Sequence, residues 1–232
     1  VKFYLVIDFE TSGLIQDGGQ PVELGAVLLD RKDLTPVAEF QAFVLYDPER
    51  FTWSPDAEEV HGITVEALAE VGVTMDEAFT AFLDWLVGFV DLEARGEVML
   101  CGQNLLFDLR FLQLMAGVGP MEDLLPPWAC YTTRDTLQWA ALLNQAHIDA
   151  FGFRSAPFRD PETGNPSLAL ENLASSLGFT FPGAHSALED ARMAGKILKR
   201  LLELLAGDLS NSRKYLARRA HIDGRKSPVK TG

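Results

Sequence analysis

Apolar positions follow a two-residue period at the start of the chain and a helical period further on. The runs at 3–10 (FYLVIDFE), 22–30 (VELGAVLLD) and 36–46 (PVAEFQAFVLY) are rich in β-branched and apolar residues. They are parted by the turn-forming stretches GLIQDGGQP and RKDLTP, and so predict three strands. The short connections favour antiparallel neighbours. From Thr74 the pattern changes: Phe79, Phe82, Leu83, Leu86, Val87 and Val90 recur at helical spacing behind the cap-like TMDE. EVMLCG (97–102) reads as a short buried strand, and NLLFDLRFLQLMAG (104–117) as a helix closed by Gly117. A further short strand is expected at Ala129–Tyr131 and a helix through Leu137–Leu143. The stretch from Ile148 to Pro166, rich in Gly, Pro and Asp, reads as loop, with helices at 167–177 and 186–205. Strands first, then helices alternating with short strands, predict one α/β domain on a mixed sheet.

Composition adds limits. With 232 residues, 47% of them hydrophobic, the chain can close one substantial core. No apolar run reaches membrane-spanning length. The strand-like VKFYLVI at the start leaves no room for a signal peptide, and the expected location is cytoplasmic. Cys101 and Cys130 both sit in apolar surroundings, which favours thiols over a disulfide. The formal charge of −13 is uneven: residues 208–232 hold seven Lys/Arg and two acids, a net of +5, so residues 1–207 carry −18. Such an acidic body repels a long polyanion, since non-specific affinity comes from neutralised phosphates. A nucleic-acid substrate would then be gripped over a few nucleotides only, with metal ions supplying the local positive charge. The division expected is a domain at 1–207 and a flexible basic tail at 208–232, available to a strand or a partner.

Against this background certain polar residues stand out. Asp8 and Glu10 flank Phe9 on a predicted strand and therefore point to one face. Buried without partners they would be costly; a cation would compensate them, and so would a strand simply emerging at the surface. Asp108 lies in the first turns of an apolar helix, where the helix dipole alone accounts for a carboxylate. Asn104 is expected as that helix's N-cap, its side-chain oxygen accepting from residue 106 or 107. His185 precedes a helix that carries Asp190; five positions do not share a helical face, so His185 belongs to the loop, a good place for a mobile base. Hard divalent cations take oxygen ligands, and four carboxylates with a histidine suit a phosphodiester-cleaving centre.

Taken together, the segments DFETSGL (8–14), GQNLLFD (102–108) and HSALEDA (185–191) resemble the three motifs of the DEDDh (DnaQ-like) 3′→5′ exonucleases. VELGAVLLD, HGIT (61–64), CYTTRDT (130–136) and SLALENLASSLGF fall in that family's order, and the match spans roughly Lys2 to Leu205. Ser12 stands where a Thr is commoner, and Leu188 occupies the position that is Tyr in the family's other branch. The resemblance implies an RNase H-like fold, a mixed five-stranded sheet with helices on both faces. It implies that Asp8, Glu10, Asp108 and Asp190 hold two Mg²⁺ or Mn²⁺ ions and that His185 is the general base. It also implies that Thr11 and Leu14 lie beside the terminal nucleotide of a single-stranded DNA or RNA 3′ end. His61 to Thr64, with Ile63, would shape the base pocket, and Asn104 would flank the site; ordinary packing accounts for Leu14 and Ile63 nearly as well. Glu23 reads as structural, and Asp135 as helix-associated rather than a ligand. The segment FGFRSAPF, with Arg154, suits either stacking on a splayed base or covering the core. The leading function is therefore metal-dependent 3′→5′ exonuclease, releasing 5′-mononucleotides. The alternatives are a module that recruits or proofreads for a polymerase, and a metal phosphatase on small nucleotides, which the exonuclease register disfavours. Some members of the family are dimers, but no segment here identifies a homodimer interface.

Overall fold

In the first strand, β1 (Phe3–Thr11), side chains alternate between two layers. Leu5, Ile7 and Phe9 enter one core, Tyr4 and Val6 the other, and the same period puts Asp8 and Glu10 on the second side. The computed structural model describes residues 1–94, 96–117, 129–130, 132–181 and 185–223, the last sixteen as backbone only. β1 lies at the middle of a five-stranded sheet with β2 (Pro21–Asp30), β3 (Pro36–Phe43), β4 (Val98–Gly102) and β5 (Arg134–Asp135), in the order β3-β2-β1-β4-β5. β1–β2 and β2–β3 pair antiparallel, while β1–β4 and β4–β5 pair parallel. This is the mixed sheet expected, with the two short connections made by the antiparallel pairs.

Among the described residues seven α-helices accompany it: α1 (Pro55–His61), α2 (Val65–Val71), α3 (Met75–Val87), α4 (Leu105–Met115), α5 (Thr136–Phe151), α6 (Leu170–Ser176) and α7 (Ala187–Asp223). On one face α3 and α4 bury Phe82, Leu86, Phe111 and Leu112 against Leu5, Ile7 and Phe9. On the other, Leu173 of α6 and Ala191, Ala194, Ile197, Leu198 and Leu201 of α7 cover Tyr4, Val6, Val27 and Leu29. Each fully buried Leu, Ile or Phe contributes about 2 kcal/mol relative to exposure, so both faces of the central strands are firmly fixed. Thr74 and Glu77 form a complete capping box on α3, in the TMDE segment that announced this helix.

Several expectations shift. α5 continues through Phe151, into the stretch read as loop from residue 148. The strand expected at Ala129–Tyr131 is a single bridge from Ala129 to Val98; Tyr131 lies outside the described residues, and the fifth strand is Arg134–Asp135. The helix of α7 passes residue 207 without a break and reaches Asp223. α1 and α2 were not anticipated: each is seven residues long, too short to show a helical period, although Ser54 and Thr64 cap them with their side chains. Among the described residues no helix is long and apolar enough to cross a membrane. Neither cysteine is in a disulfide, and burial pushes the Cys101 thiol up.

Candidate active site

The site forms where β1 outruns its parallel neighbour. β1 pairs with β4 only as far as Val6–Cys101, so the backbone beyond that point needs other partners. α4 supplies one: Asp108 Oδ1 accepts the Phe9 N–H at 3.1 Å. The second oxygen, Oδ2, is buried without a hydrogen-bond partner among the described residues. Next to it, oxygens of Asp8, Glu10 and Asp190 all lie within 4.8 Å of one another, and Asp108 is the charge that acts most on Asp8. Asp190 reaches this point because α7 starts directly on β2. A Cβ on Gly25 would sit 2.2 Å from the carbonyl carbon of Ala187 and from the Leu188 nitrogen, so only glycine admits that approach. Gly25 is also the β2 residue opposite Asp8.

Electrostatically the cluster is crowded with like charge. Burial raises Asp8 well above the ordinary carboxylate range, and Asp108, Asp190, Glu10 and Glu23 add to the effect. Glu10 is pushed from 4.5 to about 8, first by burial and then by Asp190 and Glu23. Asp190 rises from 3.8 to about 6 through burial, with the N–H and imidazole of His185 opposing. Asp108 is also raised by burial, against the pull of the Phe9 N–H. An all-oxygen, carboxylate-rich donor set with one unpartnered buried oxygen beside it fits a hard divalent cation. Asp8, Glu10 and Asp190 are the residues able to hold it, with Asp108 adjoining.

A consequence for stability follows from these shifts. Raised carboxylate pKa values mean that the folded chain binds more protons than the unfolded chain between 4.5 and about 8, the window set by Glu10. Stability of the metal-free protein therefore falls as pH rises through that window. Melting temperatures measured in EDTA should fall over it, and Mg²⁺ should flatten the slope by compensating the ionised carboxylates. Equal slopes with and without Mg²⁺ would remove the cation from the cluster.

His185 stands on the turn before α7, exposed and in left-handed backbone (φ 76°). Its N–H donates to Asp190 Oδ1 at 3.3 Å, and its Nε2 lies 4.0 Å from Glu171 Oε1. Thr11 is buried at the end of β1, and its carbonyl is 3.2 Å from His61 Nε2. His61 Nδ1 accepts the Ile63 N–H at 3.0 Å, so Nε2 carries the proton and donates to Thr11. Burial, the largest influence on it, lowers the His61 pKa. The HGIT segment is thus tied to the strand that carries the carboxylates. Leu14 is 49% exposed just past β1, as a side chain meeting a ligand would be. Asn104 departs from expectation. Its backbone is left-handed (φ 58°), its side chain makes no cap bond, and its N–H donates to Asp135 Oδ1. Asp135 is engaged as the N-cap of α5, accepting also from Leu137. In the FGFRSAPF segment Phe158 is buried and Phe151 and Phe153 are exposed, so the segment is half cover and half surface.

Two acids near the site were not read as part of it. Glu23, 1% exposed, faces Glu10 across β1–β2. The signal available was an acid in an otherwise apolar strand. Glu171, beside His185, gave no signal, being one acid in an ordinary amphipathic segment. Ser12 is buried and knits the following loop: its hydroxyl donates to the Thr52 carbonyl at 2.7 Å and accepts the Gln20 N–H at 3.0 Å.

Residues 5–198 match the family model RNase_T, described as Exonuclease. The chain belongs to this exonuclease family. The Asp8–Glu10–Asp190 cluster gives this exonuclease a group of acids able to hold a metal ion. Relatives of the exonuclease chain include the DNA polymerase III subunit epsilon of Treponema pallidum, 25% identical over 199 residues, covering 86% of this chain and 76% of that protein. The PolC-type DNA polymerase III of Thermotoga maritima is 27% identical over 202 residues, covering 87% of this chain but 12% of the polymerase. Among solved structures, E. coli Exonuclease I in complex with a dT13 oligonucleotide superposes with a TM-score of 0.66 at 19% identity, over 87% of this chain and 41% of that one. Exonuclease I of Methylocaldum szegediense gives 0.67 at 21% identity, over 88% and 41%. This chain thus spans less than half of those exonucleases, and the likeness carries the RNase H-like fold.

Proposed function

We propose that this chain removes 5′-mononucleotides from single-stranded 3′ ends with two divalent cations. The observation that carries the reading is the Asp8–Glu10–Asp190 cluster, with the unpartnered Asp108 oxygen beneath it and His185 on the adjoining turn. Asp8, Glu10, Asp108 and Asp190 would hold a pair of Mg²⁺ or Mn²⁺ ions, which would supply Lewis-acid charge at the scissile phosphate and lower the pKa of a water. The four carboxylates fix where that charge sits. His185, exposed beside Asp190, takes the proton of the attacking water at its imidazole. Thr11, tied to His61, and the exposed Leu14 receive the terminal nucleotide, with Ile63 shaping the pocket and Asn104 at its edge. The −18 carried by residues 1–207 restricts the grip to these few nucleotides. Residues 1–207 form the exonuclease domain in this reading, and the basic segment after it contributes to longer strands or to a partner.

The test is single-stranded DNA and RNA of one sequence, labelled at the 3′ or the 5′ end, incubated with Mg²⁺, Mn²⁺ or EDTA. Immediate release of a labelled mononucleotide from the 3′ end, lost in EDTA, is the expected result, and it reads the sugar preference directly. Internal cuts, or release from the 5′ end first, would refute the reading. A second reading draws on the relatives named as a DNA polymerase III subunit epsilon and as a PolC-type DNA polymerase III: the domain serves a polymerase as its proofreader or recruiting module. Inactivity on every polymer with either metal would favour recruitment alone.

A further inference from the structure

We infer that Glu23 is a positioning residue for the exonuclease reading above, tethering through Ser186 the turn that carries the base. Ser186 sits between the two groups that matter most on this side of the site: His185 precedes it and Asp190 follows four residues later. Its carbonyl accepts the Asp190 N–H at 2.9 Å, which makes it the N-terminal residue of the α7 hydrogen-bond ladder. A serine in that place ordinarily turns its hydroxyl onto the helix's own first turn. Here the hydroxyl donates outward, to Glu23 Oε1 at 3.0 Å. The same oxygen accepts from Gln41 Nε2 at 2.7 Å, so Glu23 is held from β3 while it holds α7.

The need for a tether is visible in the backbone. His185 adopts φ 76°, a left-handed conformation costing a non-glycine residue roughly 1–2 kcal/mol. Such a residue persists only where its neighbours over-determine it. Two bonds do so here: the His185 N–H to Asp190 Oδ1 on one side, and Ser186 to Glu23 on the other. β2 is built for this docking at successive positions on one face. Gly25, opposite Asp8, admits the first turn of α7 into contact, and Glu23, opposite Glu10, fastens the residue before that turn. VELGAV is therefore the seat of the base as well as a central strand. Losing the tether leaves the carboxylates in place and lets His185 leave its angle of attack.

The experiment compares S186A, E23A and E23Q with the unaltered protein for kcat, KM and Mn²⁺ affinity, on variants verified as folded. S186A should lower kcat about tenfold, with KM and Mn²⁺ affinity within about twofold. E23A should lower kcat at least as far, its Mn²⁺ affinity shifting too because an acid facing Glu10 is lost. E23Q should recover to within about threefold, because its amide oxygen still accepts from Ser186 and Gln41. The double variant should be no worse than the poorer single, as for two ends of one bond. Unchanged kcat in S186A overturns the inference. So does an E23Q as slow as E23A with weakened Mn²⁺ binding, which would make Glu23 a charge acting on the cation. If the unaltered protein cleaves no polymer, the exonuclease reading falls by itself. The tether is then judged by the imidazole resonances of His185: shifted in E23A and S186A and restored in E23Q if it exists, unmoved in all three if it does not.

Discussion

Asp8→Asn is expected to abolish turnover while making the metal-free protein more stable. Asp8 is surrounded by Asp108, Asp190, Glu10 and Glu23, and burial adds to their repulsion. Replacing the carboxylate with an isosteric amide removes one acidic group from a cluster crowded with like charge. A gain of about 1 kcal/mol would raise the melting temperature in EDTA by about 2–4 °C in a domain of this size. The same change takes away an oxygen that a divalent cation needs, and turnover should fall by about 10³-fold or more, about 4 kcal/mol of transition-state stabilisation. Asp108→Asn should lose as much turnover with a smaller gain in stability. Its Oδ1 position can still accept the Phe9 N–H, but the orphaned Oδ2 becomes a buried amide nitrogen without an acceptor. A folded Asp8→Asn that retains turnover would dismiss the cluster as the centre. One that loses turnover and stability together would mean the carboxylate is structural. The measurements are single-turnover cleavage in Mg²⁺ and thermal melts in EDTA.

What was legible in the sequence depended on how local its physical cause is. The alternation of Leu5, Ile7 and Phe9 against Tyr4, Val6, Asp8 and Glu10 sets both faces of β1 and puts two carboxylates side by side. The helical spacing after Thr74 and the box formed with Glu77 are equally local, and α3 appears where the pattern places it. α1 and α2 escaped because seven residues span two turns, too few for a period to emerge. The side-chain role assigned to Asn104 failed for a tertiary reason. Asp135, thirty-one positions away, takes its N–H, and the residue turns left-handed into α4 instead of capping it. Glu23 shows the same limit from the other side. An acid in VELGAV is visible as an anomaly, but its placement opposite Glu10 and its bond to Ser186, 163 positions on, arise from strand register and from the docking of α7. Motif order located the carboxylates; only the fold reveals which of their neighbours hold them.

His185→Ala is expected to separate catalysis from cation binding. The imidazole is exposed on a turn, its backbone N–H rather than its ring is bound to Asp190, and the three oxygens within 4.8 Å belong to other residues. Loss of the ring should therefore lower kcat by about 10²–10⁴-fold, the range of a positioned general base, while Mn²⁺ affinity changes little. Alanine can retain the N–H donated to Asp190, so the start of α7 should stay in place. Activity of the variant should recover in part as pH rises, because hydroxide then replaces the proton acceptor that has been removed. Asp8→Asn should show no such recovery, its missing oxygen being needed at every pH. The two variants thus differ in pH profile as well as in cation affinity. A parallel loss of Mn²⁺ binding in His185→Ala would place the imidazole among the ligands, and a flat pH response would leave the proton of the water to another group, with Glu171, 4.0 Å from the ring, the first to examine.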